Sequence, residues 1–180
     1  VLLPVAIYVI SEISKVSENE KQLRKLYEQQ LSSFIFSVNL YSEDLMSSIS
    51  FRLANQPTPE TIEQAFAENL YLLAISFSPL DSTGHLSDST SLTFHYEEEN
   101  KAKWIANIRE LLNSQDSLLS NLIKYQKAGF RKLQPLPDLQ VDDERFGQIG
   151  FLVEKDQKVQ LCLLTFDTEQ FIRQTLQPKM

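Results

Sequence analysis

The side chains able to do chemistry are few and scattered. His85 and His95 are the only histidines. His95 stands in Phe94-His95-Tyr96-Glu97-Glu98-Glu99, where apolar residues alternate with polar ones, so its ring falls on the face turned to water. A base or ligand role needs a convergent set of partners, and the neighbouring residues supply none. Glu97, Glu98 and Glu99 point in different directions and read as a solvated junction between a strand and a helix. Asp142-Asp143-Glu144 offers oxygens to a hard cation but lacks the spaced acids and the glycine of a calcium loop, so it reads as a solvent-facing loop. The single cysteine, Cys162, lies in the apolar run Val159–Leu164 and is expected as a buried thiol, not a nucleophile. One thiol makes neither an internal disulfide nor a zinc cluster. With four glycines in the whole chain there is no Gly-rich phosphate cradle, and no Gly-x-Ser-x-Gly elbow is present. No catalytic residue, no metal site and no cofactor are expected.

The aromatic residues Phe77, Phe94, Tyr96 and Trp104 fall where strands give way to a helix, which is where small-ligand pockets are commonly lined and where ordinary cores are built. Both readings stand. The first places a ligand pocket between the sheet and the Trp104 helix, with Arg131 available for an anionic group.

These residues depend on an α+β frame. From Ser11 to Ala54 there is neither glycine nor proline, which permits one long helix. Its apolar stripe runs Ile10, Ile13, Val16, Leu23, Tyr27, Leu31, Phe34, Val38, Tyr41, Leu45 and Ile49, with Glu18, Lys21, Lys25, Glu28, Ser32, Ser42 and Ser50 opposite. The stripe fits a long core helix and a dimerising arm equally well. Pro57 and Pro59 end that helix, and Thr58 caps a second through Leu70. Tyr71–Phe77 and Ser91–Tyr96 read as two strands across the turn Asp81–Gly84. A helical stretch from Asn100 to a Gly129 cap, broken near Asn113–Asp116, precedes a short strand at Phe130–Leu133 and an acidic loop at Asp138–Glu144. Gln148–Glu154 and Lys158–Phe166 form a hairpin, and Asp167 caps a last helix from Thr168 to Leu176. One antiparallel sheet with helices against one face accommodates this order.

Length and charge narrow the classes further. A single domain of 180 residues buries roughly 70% of its unfolded surface and needs no staple. A net charge of −7 repels phosphate backbones, so nucleic acid is not an expected partner. Val1–Ile10 carries no charge but is too short to span a bilayer by itself, which leaves the end of a transmembrane helix or the buried start of a soluble one.

The terminal segments carry a family likeness. Ile149-Gly150-Phe151-Leu152-Val153, then Val159–Thr165, then Phe166-Asp167 leading to Phe171-Ile172 and Leu176-Gln177-Pro178 resemble the end of the extracytoplasmic input domain of bacterial sensor histidine kinases. Leu2-Leu3-Pro4-Val5-Ala6-Ile7 followed by the charged helix Glu18–Leu26 resembles the exit of such proteins from their first span. The resemblance covers nearly the whole chain and rests on the order of the motifs. It implies a PAS-like or Cache-type fold: residues 1–10 as a helix end, 11–56 as a long helix and 57–180 as the sensor domain. It also implies a periplasmic location at the bacterial inner membrane, a homodimer joined to the membrane through flanking helices, and an unknown small molecule or periplasmic protein as stimulus. His95 lacks the context of a phosphoacceptor and ATP-binding boxes are absent, so the kinase module lies outside these residues. The residue after Trp104 is Ile105, which departs from the signature of amino-acid-binding Cache sensors. A non-enzymatic coiled-coil interaction protein is the alternative.

Overall fold

A computed structural model describes residues 2–81, 85–87, 89–95, 100–155 and 158–176, with side chains from residue 20 onward except those of Asp116 and Leu176. The expected stripe members Ile10, Ile13 and Val16 therefore lie outside the described side chains, as does the turn at 82–84 outside the described backbone. The fold is α+β, a long N-terminal helix and an antiparallel sheet with helices packed on it. The chain divides into two compact units, Val1–Asp44 and Leu45–Met180.

The described residues of the first unit form the leading part of α1 (Leu2–Asn55). Between residues 20 and 40 its side chains are almost all exposed, including Tyr27 at 66% and Phe36 at 68%. Leu23, Leu31, Phe34, Ile35 and Leu40 are also 45–58% exposed. Among the described residues of this unit, the stripe members Leu23, Tyr27, Leu31 and Phe34 are left uncovered.

The second unit begins with the last turns of α1, which belong to the body because Met46, Ile49, Ser50 and Leu53 are buried at i, i+3, i+4 and i+7. Ser50, expected on the polar face, is buried instead, and its hydroxyl donates to the Ser47 carbonyl, which satisfies it within the helix. α2 (Pro59–Glu68) starts where Thr58 accepts a hydrogen bond from the Thr61 N–H, with Pro59 in its first turn.

Five strands follow: β1 (Leu72–Pro79), β2 (Ser91–Phe94), β3 (Gln134–Val141), β4 (Glu144–Lys155) and β5 (Lys158–Phe166). They form one antiparallel sheet in the order β2-β1-β5-β4-β3. The first strand thus lies beside the last at the sheet centre, which explains why β1 is buried nearly end to end and does not alternate.

Segment 138–144, expected as a loop, is mostly strand. β3 tolerates Pro135 and Pro137 because it is an edge strand with a register shift between Leu136 and Leu139, and Leu136, Leu139 and Val141 are buried. Asp142 and Asp143 make the two-residue turn into β4, with Asp142 at φ 55 and ion-paired to Lys103. Phe130–Leu133, expected as a strand, is irregular chain: Gly129 caps the preceding helix at φ +80 and the segment pairs with no neighbour.

Helices cover both faces of the sheet, not one. α3 (Lys101–Asn113) and α4 (Asp116–Lys127) supply Trp104, Ile108, Leu112, Leu118, Leu119 and Leu122 to a core with Leu161 and Leu163. The opposite face, carrying Ile75, Phe77, Phe151, Cys162 and Leu164, packs with Met46, Ile49 and Leu53 of α1 and with Ala65 and Phe66 of α2. The period-2 alternation of β5 divides its side chains between these two cores. Asp167 accepts hydrogen bonds from the N–H groups of Glu169 and Gln170 and so starts α5 (Thr168–Phe171), which continues as a π-helical turn, Ile172–Leu176. Phe171 enters the second core.

Candidate functional site

The sheet register sets the side chains beneath Trp104. Phe94, Ala74, Thr165, Gln148 and Leu136 are successive partners across the five strands. The next row on the same face holds Leu92, Ser76, Leu163, Gly150 and Gln134. The centre of this face therefore sets the small or polar residues Ala74, Ser76, Thr165, Gln148 and Gly150 around Leu163. The Trp104 ring meets Phe94 edge-on at 5.3 Å and lies 5.0 Å from Phe146, so α3 is clamped over the sheet by two strands that are not neighbours.

Gln148 donates to the Thr165 hydroxyl at 3.1 Å, inside the core. Gln148 Oε1 and Ser76 Oγ are buried without a partner among the described residues. Each unpaired atom costs on the order of 1–3 kcal/mol, so these two rows are a poor solution for stability alone. They carry no charge; what they offer is hydrogen bonding to a neutral group, not proton transfer. They are also closely packed. A Cβ on Gly150 would stand 2.9 Å from Leu136 Cδ1 and 3.0 Å from Leu163 Cδ2.

The residues singled out from sequence do not converge. Phe94 and Trp104 come together, but Phe77 belongs to the core on the opposite face. Tyr96 lies outside the described residues, as do Glu97, Glu98 and Glu99. Arg131 is remote from the Trp104 cluster in a different way: its guanidinium sits 5.4 Å over the ring of Phe51 and lines a cleft with Lys132, Phe130, Leu122, Leu152 and Glu154. Sequence reasoning missed this cleft because it read Phe130–Leu133 as a strand. The available signal was a glycine cap followed at once by an aromatic and two cations.

The remaining candidates have structural roles. His95 is partly buried, not turned to water: its ring stacks on Phe66 at 5.2 Å and its Nδ1 lies 3.2 Å from the Leu72 carbonyl. The His85 N–H donates to Asp81 Oδ1 and the His85 carbonyl accepts from the Asp81 N–H. Cys162 is fully buried, and that burial pushes its thiol well above the ordinary range, which removes the thiolate a nucleophile needs. Among the described residues no group of three His, Cys, Asp or Glu side chains is placed to hold a metal ion. Compared with known proteins, the chain matches no family model and no curated protein.

Proposed function

We propose that this chain is the extracytoplasmic signal-sensing input domain of a membrane-bound bacterial sensor histidine kinase, of PAS-like or Cache type. It does no chemistry itself; the catalytic module lies elsewhere in the same protein, and flanking helices join the domain to the inner membrane. The observation that carries this reading is the shared core of the two terminal elements. Met46, Ile49 and Leu53 of α1 and Phe171 of α5 belong to one hydrophobic cluster on one face of the sheet. Tyr71 links them further: Phe171 packs edge-on against its ring at 5.0 Å, and its carbonyl accepts the Asp167 N–H. A closely packed cluster does not deform continuously, so an event that repacks the sheet face shifts both elements together.

The work comes from population shift. A small molecule or periplasmic protein that binds one packing tenfold more tightly than the other supplies about 1.4 kcal/mol toward it. No described helix is long and apolar enough to cross a membrane. The test is a topology reporter, alkaline phosphatase, fused to the natural gene product within the body. High activity is expected, since the enzyme matures outside the cytoplasm; activity at the level of a cytoplasmic control sinks the reading.

A second reading, a non-enzymatic dimerising arm, is favoured by the uncovered stripe of the first unit. Leu23, Tyr27, Leu31 and Phe34, each 45–66% exposed, leave on the order of 500 Å² per arm. Two facing arms bury about 1,000 Å², the lower edge of what a stable interface requires. The two readings are compatible, because a sensor of this kind works as a homodimer.

A further inference from the structure

The geometry points to a binding site for a small carboxylate with a short hydrocarbon body in the cleft beside Arg131 and Lys132, distinct from the Trp104 face. The cleft measures about 210 Å³ and lies wholly within the second unit. That is smaller than the roughly 300–1,000 Å³ of pockets that hold drug-sized molecules, so its occupant is small.

Two features set the chemistry. The first is positive charge not tied up in a salt bridge, in a chain whose net charge is −7. Neither Arg131 nor Lys132 is ion-paired with a described carboxylate. Each is instead held over an aromatic ring, Arg131 over Phe51 and Lys132 over Tyr125 at 4.5 Å. Stacking on a ring positions a cation without neutralising it, and leaves its N–H donors for an anion. The second feature is the mixed lining. Phe130, 66% exposed, Leu122 and Leu152 contribute apolar surface, while Glu154 adds one negative charge to the two cations. A lining with a net charge of +1 suits a monoanion and disfavours a dianion such as phosphate.

Gly129 is among the residues lining the cleft. At φ +80 it tolerates no ordinary side chain, and nothing stands within 4 Å of where a Cβ would be. The inference deepens the sensor reading by naming a ligand class, and binding and membrane topology fail separately when tested.

The experiment is a ¹⁵N NMR titration of the whole chain with hexanoate, following the Gly129 amide, which is easily assigned among four glycines. A saturable shift in the millimolar range is expected, with hexan-1-ol and inorganic phosphate at equal ionic strength at least about tenfold weaker. The double variant R131Q/K132Q is expected to weaken binding by about tenfold or more while the Gly147 and Gly150 amides stay in place, which shows the fold intact. No saturable shift, an equal response to hexan-1-ol or phosphate, or undiminished binding by the double variant overturns the proposal.

Discussion

Residues 20–41 and residues 45–176 draw on the same apolar side chains and use them in opposite ways. In the body, Phe151 of β4 is completely buried in a sheet covered by helices on both faces. In the arm, Tyr27 and Phe36 are mostly exposed on a helix with no partner in its own unit. The difference teaches that apolar periodicity prescribes a face to be covered but not what covers it. A strand obtains its partners from the same chain through hairpins, whereas a long helix standing alone has to find its partner elsewhere.

Breaking the comparison begins in the body. Phe151→Ala is expected to destabilise by about 3–5 kcal/mol in urea denaturation, since it opens a cavity in the second core. Phe36→Ala in the arm is expected to stay within about 0.5 kcal/mol. Equal effects would mean that the arm is covered and the contrast false. Gly147→Ala comes next: the new Cβ would lie 2.6–2.7 Å from the Phe166 ring, so the ring has to shift, at about 1–3 kcal/mol in the same measurement.

Sharpening the comparison uses association in place of stability. Tyr27→Lys with Phe34→Lys is expected to abolish self-association in sedimentation equilibrium while leaving the urea midpoint within about 0.5 kcal/mol of the parent. An unchanged dimer would assign the stripe to some other partner.

The smallest effect concerns acid stability. The Arg52 guanidinium, with Gln64 assisting, holds the Glu68 carboxyl below its ordinary range. A folded-state value below the unfolded one means that stability from this group is complete at neutral pH and is lost as pH falls through the folded value. The Glu68 side chain is about half-exposed and solvent-screened, so Glu68→Gln is expected to lower stability slightly at neutral pH and to flatten the acid limb of a stability–pH curve, the difference from the parent vanishing as pH falls through the folded value. A marked loss at neutral pH would show that the pair matters to packing.

Much of the frame was legible before any coordinates. The absence of breakers from Ser11 to Ala54, the caps at Thr58 and Asp167, and the apolar run that became β5 each carry a local physical signal. β3 was obscured because two prolines normally exclude a strand, and only its position at the sheet edge makes them tolerable. The candidate sites were less legible. Phe77 and Trp104 are separated by the sheet itself, and side chains on opposite faces cannot be told apart from sequence until register and layering are known.

By itself, then, the sequence determined the elements: their periods, caps and breaks follow from backbone sterics and local hydrogen bonding, which act over a few residues. Only the tertiary structure decided that β1 lies between β2 and β5, that polar Ser76 and Gln148 share a buried face beneath Trp104, and that Arg131 and Lys132 border a cleft instead. Those juxtapositions join residues far apart in the chain, and they arise because burying two sheet faces at once leaves few ways to arrange five strands and their helices.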